Sequence, residues 1–151
     1  MAERQLIVFE VAEEEFGVGI TEVDEIIEYQ EPKPLPGASE FIEGMINLRG
    51  EVIAIVNLRK KLELEGTEDR NRIIIIEIGE LKVGFIVDTA SEVLKLTGEE
   101  MKPPPSDKMH GVESGSIKAI GEREDRLIII LDLENLLGTG ELKELNTQGE
   151  L

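Results

Sequence analysis

The chain contains no cysteine. That excludes disulfides, thiolate catalysis and zinc–thiolate sites, and it agrees with a reducing compartment. Long apolar runs and a cleavable leader pattern are also missing, so the sequence predicts a soluble, cytoplasmic protein without direct membrane insertion. A single histidine, His110, leaves no imidazole pair for a metal, and no carboxylates fall in a calcium-loop spacing. No metal site and no cofactor is expected. Basic residues are scarce: 16 Lys and Arg stand against 33 Asp and Glu, a formal charge of −17. Such a surface repels phosphate backbones and anionic headgroups, so nucleic acid is excluded as a partner.

Catalytic motifs are missing as well. There is no GxxxxGK[ST] loop and no GxGxxG between strand and helix. Serines 39, 91, 106, 114 and 116 lack a G-x-S-x-G elbow. Adjacent acids such as Glu99 and Glu100 are what a carboxylate-dependent hydrolase would use. With 33 acids in the chain, however, adjacency arises by chance, and a solvated face accounts for it. The chain does not read as an enzyme.

What is present is a set of short apolar strands separated by polar corners. Gln5 to Val11 reads as a strand, Ala12 to Glu15 as an acidic turn, and Phe16 to Ile20 as a return strand. Thr21-Glu22-Val23-Asp24 has the form of a capping box, and Val23, Ile26 and Ile27 fall at i, i+3 and i+4, which predicts a short helical turn. Glu31 to Gly37 is a proline-rich connector, and one helical turn is expected over 39–42. Gly44 to Leu58 reads as two strands meeting at an Asn47–Gly50 corner, the second apolar enough to be buried on both faces. Asn57 is a candidate N-cap for a short helix. Residues 63–71 form a polar loop. Arg72 to Ile78 and Val83 to Val87 make another hairpin, and Thr89 to Glu92 repeats the capping-box pattern before Val93, Leu94 and Leu96. A second proline connector spans Met101 to Pro105, Leu127 to Leu131 is a final strand, and Asp132 caps a helix over 133–137.

The two passes share one order. FGVGITEVDEII matches VGFIVDTASEVL, and GEVIAIVNLRKKL matches DRLIIILDLENLL, with matching positions about 70 residues apart. An internal duplication of about five short strands each predicts an all-β fold of two pseudo-repeated lobes with short helices, each curled into a small barrel to protect its edges. Val23, Ile26, Ile27 and the matching Val93 and Leu94 then have two readings, as lobe core or as walls of an apolar groove between the lobes. Arg49 also has two, as a solvated hairpin tip or as a placed donor fork.

At GMINLRGEVIAIVNL the chain resembles the CheW family, the coupling proteins of bacterial chemotaxis, in which an N-L-R-G hairpin before an apolar strand is the signature. The match continues through FEVAEEEFGVGITEVDEII, VGFIVD and LIIILDLENLL, covering about residues 5–138. The resemblance implies two SH3-like five-stranded barrels sharing a hydrophobic core within one domain, 1–151. One barrel would come from 16–80 and the other from 81–138 with strand exchange from 1–15, leaving 139–151 as a polar tail. It also implies a non-catalytic adaptor, recruited to membrane-associated receptor arrays, that binds the cytoplasmic tips of methyl-accepting chemoreceptors and the regulatory domain of the histidine kinase CheA. The receptor positions would be Val23, Glu25, Gly44, Arg49 and Val93, with Ile26, Phe41 and Leu94 as apolar neighbours and Glu25 pairing with Arg49. Kinase contact would involve Arg72, Ile73, Gly84 and Lys102. Ser106 and Asp107 stand where some relatives carry an acid and an aromatic that touch the kinase, which puts ring closure in doubt. The same-family rival is a CheW-like module of a larger protein such as CheV or CheA; the start at Met1 and the short polar tail favour a stand-alone adaptor.

Overall fold

The computed structural model describes residues 3–66, 69–104 and 116–137. His110, Ser106, Asp107 and the 139–151 tail lie outside the described residues. Eleven strands and two one-turn α-helices are present among the described residues. In chain order they are β1 (Glu3–Val11), β2 (Glu14–Gly19), β3 (Glu25–Glu28), β4 (Ile42–Leu48), β5 (Glu51–Asn57) and α1 (Leu58–Lys61). Then come β6 (Arg72–Ile78), β7 (Leu81–Val87), β8 (Thr89–Thr97), β9 (Met101–Lys102), β10 (Ile117–Arg123), β11 (Arg126–Leu131) and α2 (Leu133–Leu136). The fold is all-β with short helices, as the duplication predicts.

The strands form two sheets, ordered β8-β1-β2-β11-β10-β9 and β3-β6-β7-β5-β4. Leaving out the two-residue β9, the two orders are the same once β8 is matched to β3, β1 to β6, β2 to β7, β11 to β5 and β10 to β4. Each repeat therefore gives its first hairpin to the other repeat's lobe. The register keeps the sequence alignment: Ile129 and Ile130 face Phe16 and Gly17 in one parallel ladder, and Ala54 and Ile55 face Val83 and Gly84 in the other. Sheet membership thus departs from the expected boundaries. β2 stays with β1 rather than opening the 16–80 lobe, and β7 completes that lobe rather than starting the next.

Side-chain alternation builds three cores from two sheets. On β1, Leu6 and Val8 point into their own lobe, while Ile7, Phe9 and Val11 face the seam. On β5, Ile53 and Ile55 point inward and Ala54 and Val56 face the seam, and Ile73 and Ile75 against Ile74 and Ile76 repeat the pattern on β6. This double burial explains why the strands read as nearly unbroken apolar runs. The terminal strands of each sheet pack on one interior cluster: Leu94 of β8 and Met101 of β9 in one lobe, Ile27 of β3 and Ile46 of β4 in the other. Each sheet is therefore curled on itself, and about a score of buried residues between the lobes holds them together.

Two expected helical turns are strands. Residues 25–28 pair antiparallel with β6, Ile26 opposite Ile74 and Ile27 opposite Ile73; only Ile20–Glu22 before them coil into a 3-10 turn, without a side-chain cap. Residues 89–97 pair with β1. The i, i+3, i+4 pattern misled because adjacent apolar residues serve a strand buried on both faces equally well: Ile26 packs on the seam and Ile27 on the barrel interior. The segment 39–42 is a single turn closed by Ile42 N–H on the Ser39 carbonyl, 2.9 Å, not a helix. Both cap predictions hold. The Asn57 side chain accepts from the Lys60 N–H, and that of Asp132 accepts from the Asn135 N–H. α2 ends at Leu136, one residue short of the expected 137.

Candidate partner-binding surface

The β4–β5 hairpin closes through Arg49 and Gly50, with φ of 50° and 86°. Two consecutive positive φ values make the two-residue turn that matches strand twist, and glycine accepts the second at little cost. The Asn47 side-chain oxygen accepts from the Gly50 N–H at 3.1 Å and locks the corner. Held this way, the Arg49 guanidinium donates to Glu25 at the head of β3, 2.5 Å away. Glu25 and the nearby acids Glu51 and Asp24 hold the Arg49 pKa above its ordinary value. Lys82, opening β7, bridges Asp24 and Glu51 at 3.2 Å each, and its own pKa is raised by those two carboxylates. Five charged side chains thus clasp one end of the first lobe. The Arg49 side chain keeps 67% of its surface in solvent, so this is an exposed clasp and not a buried pair.

The other expected contact residues separate into surface and interior. Val23, Ile26 and Phe41 are half-buried and pack on the rim of the seam core. Val93 lies on β8 in the other lobe, opposite Ile7 and 57% exposed; it is the counterpart of Ile26, which faces Ile74. Leu94 points the other way, into its barrel, and is 7% exposed. Ile73 is fully buried in the first barrel. Gly84 faces the same interior, where an added Cβ would lie 2.6 Å from Ile73 Cγ2. Leu94, Ile73 and Gly84 therefore pack the barrels, and their side-chain positions are not open to a partner. Arg72 and Lys102 are exposed, at the start of β6 and on β9. Gly44 is buried beneath the proline connector, with φ of 146°. Among the described residues no cluster of three or more acids and histidines is placed to hold a metal ion.

The CheW-like domain model matches residues 5–141. The chain belongs to the CheW family. It is 37% identical over 135 residues to the Chemotaxis protein CheW of Bacillus subtilis, covering 88% of this chain and 86% of the relative. It is 32% identical over 146 residues to that of Thermotoga maritima, covering 95% and 94%. A crystal structure of the scaffolding protein TtCheW from Thermoanaerobacter tengcongensis superposes with a TM-score of 0.81 at 33% identity, covering 93% of this chain and 92% of that one.

One feature of this CheW-family chain escaped the sequence reading. N-L-R-G is absent from the second repeat, yet its clasp is present in another form. Arg126, just after the β10–β11 turn, donates to Glu92 at 2.7 Å and to Glu15 at 2.7 Å. Glu92 aligns with Glu25 and Arg126 with Glu51, so the acid is conserved between the repeats while its arginine partner has moved along the hairpin. Aligning 16–27 with 83–94 was enough to pair the two acids; only the fold shows that an arginine two residues away does the same task.

The clasps also set an acid limit. Glu92 is held below the ordinary carboxylate range by Arg126, and Glu100 is drawn down to about 2 by Arg123 and the Thr97 N–H. Burial of Glu43 works against its ionisation, but hydrogen bonds from Asn57 and Arg70 outweigh it and lower its pKa as well. A carboxylate depressed on folding adds stability above its unfolded pKa and loses it as pH falls toward the folded one. The Glu100 contribution is therefore complete above about pH 4.5 and disappears between there and about 2. Comparing Tm of the native chain and Glu100→Gln across pH 2–7 should give a gap that is constant near neutrality and closes in that window. A gap that persists at pH 2 would assign the effect to packing.

Proposed function

We propose that this chain is a chemotaxis coupling scaffold that binds the cytoplasmic tips of transmembrane chemoreceptors and the regulatory domain of CheA together. Family membership supports the scaffold role, as do relatives named as chemotaxis proteins and a structural neighbour described as a scaffolding protein. The observation that carries the receptor half is the exposed Arg49–Glu25 clasp beside the half-buried Val23 and Ile26. An apolar rim with one planar donor fork suits a helix whose apolar ridge is flanked by polar groups. Arg72 and Lys102 are the exposed members of the kinase set. On this reading the protein works in the cytoplasm at receptor arrays and catalyses nothing. Signal passes because each partner biases a shared, rigid interface.

The direct test mixes CheA and a receptor signalling fragment from the same cell with this protein. Receptor control of CheA autophosphorylation should depend on its addition, and no dependence would overturn the reading. Arg49→Ala should weaken receptor binding while leaving the melting curve nearly unchanged, because the side chain is mostly solvated. A large drop in Tm would make Arg49 a structural residue first.

A further inference from the structure

The two clasps occupy equivalent places but differ in what their arginines have left to give. By the alignment of the repeats, Lys82 stands where Glu15 stands, and Glu51 where Arg126 stands. Each lobe therefore joins the strand after its corner to that strand's parallel neighbour by an ion pair at one place, with the charges swapped. Glu124 matches Arg49 in φ, 55° against 50°, so the corner backbone is shared and the side chains differ. In the second lobe one arginine serves both acids. Arg126 donates from Nε, Nη1 and Nη2 to Glu15 and Glu92, and these four bonds use nearly all of its donor fork. In the first lobe the task is divided. Lys82 bridges Asp24 and Glu51, and Arg49 meets Glu25 alone, through Nη2. The Arg49 Nε and Nη1 donate to no group among the described residues, and 67% of the side chain is in solvent. Asp24 and Glu51 are nonetheless close enough to act on the Arg49 charge. Lys82 is the one cation that holds both acids among the described residues, so without it they would turn to Arg49.

We propose that Lys82 is a positioning residue for the partner site: by occupying Asp24 and Glu51, it keeps the unused donors of Arg49 open to a carboxylate on the bound partner. This role rests on the receptor-binding function above and specifies the chemistry read there, an aspartate or glutamate beside the apolar ridge of a helix. One guanidinium can hold two carboxylates at once, as Arg126 does with Glu15 and Glu92. At Arg49, Glu25 takes the first place and orients the fork, and the partner's acid takes the second. Net charge acts in the same direction. Three carboxylates against two cations leave the first clasp with one negative charge. Loss of Lys82 would add another and repel an incoming acid more strongly.

The test measures the affinity of the full chain for the receptor signalling fragment. Lys82→Met keeps the aliphatic stem and should bind about fivefold more weakly, the size of one exposed charged contact. Lys82→Arg can still bridge both acids and should bind as the native chain does. Lys82→Met/Asp24→Asn/Glu51→Gln should recover native affinity, because the competing carboxylates are gone. A residue that merely packs β7 would not be rescued in this way. All three variants should melt close to the native Tm, since ion pairs at the surface add little stability. If the native chain binds the fragment and Lys82→Met binds equally well, the proposal is overturned and the scaffold function stands. Weak binding by Lys82→Met that the triple variant does not rescue overturns it too, and makes Lys82 a structural residue. If the native chain does not bind the fragment, the receptor half of the scaffold function falls and the proposal with it.

Discussion

Gly44→Ala should unfold this protein far below its native Tm. An ideal Cβ at residue 44 would sit 2.0 Å from the Lys33 carbonyl oxygen, 2.6 Å from its carbon and 3.0 Å from Pro34 Cα. All three are backbone atoms, so no rotamer change relieves the clash. The connector would have to lift, breaking the two-way bridge in which Lys33 and Met45 exchange hydrogen bonds of 2.8 and 2.9 Å. Residue 44 also has φ of 146°, which a side chain rarely adopts. Strain of about 1–3 kcal/mol and two lost backbone hydrogen bonds at about 1 kcal/mol each give about 3–5 kcal/mol. That is a drop on the order of 10 °C in a domain of this size. Gly37→Ala, where φ is 79° but the space is open, is the control and should cost about 1–2 kcal/mol. Thermal and urea unfolding of both variants decide the matter. If Gly44→Ala melts like the native chain and still loses receptor binding, Gly44 is a contact residue. The expected order is the reverse: binding lost because the wall behind the hairpin has moved.

That case illustrates what could be read from the chain and what could not. The duplication, the all-β class, the Asn57 and Asp132 caps and the Arg49 corner were legible because each rests on local chemistry or on repetition. The helical turn at 21–27 was misassigned because Ile26 and Ile27 pack on opposite faces of β3 and leave no period-2 pattern, and that at 89–96 because the capping-box match at Thr89 outweighed the short alternation of Val93, Leu94, Lys95 and Leu96. Which lobe β2 and β7 join was not legible. β2 and β7 cross the seam through parallel pairing with strands over a hundred and about thirty residues away, respectively, and nothing within those strands marks it. The same gap blurred the site. Val93 and Leu94 are neighbours in sequence, yet one is exposed and one interior, a distinction set by the register of β8 on β1. The resemblance named candidate contact positions, and burial now separates those that are exposed from those that pack the barrels.

Gly84→Val carries that separation to the kinase side. The Cβ of residue 84 would meet Ile73 Cγ2 at 2.6 Å and Ile55 Cδ1 at 2.9 Å, inside a barrel with no slack. The γ-methyl of Ile73 is fixed close to its backbone and cannot swing away, so the strand ladder itself must shift. Forcing methyl groups into a filled core costs about 1–3 kcal/mol and sometimes more; three added carbons at these separations should cost about 3 kcal/mol or above. Alanine, adding one carbon, should cost about 2 kcal/mol. The duplicated position gives the scale: at Gly17 a Cβ would lie 3.3 Å from Ile128 Cγ2 and 3.4 Å from Leu6 Cδ1, so Gly17→Ala should be clearly milder. Removing the obstacle should also help. Ile73→Ala alone opens a cavity, but combined with Gly84→Ala the losses should sum to less than their parts, the sign expected for a relieved clash. Urea unfolding of the four proteins in that cycle measures it. Strict additivity, or a Gly84→Ala chain with native stability that no longer binds the CheA regulatory domain, would return Gly84 to the contact surface. Otherwise a coupling defect at residue 84 reports a barrel forced open, and the exposed Arg72, at the start of the strand opposite, becomes the residue through which the kinase is tested.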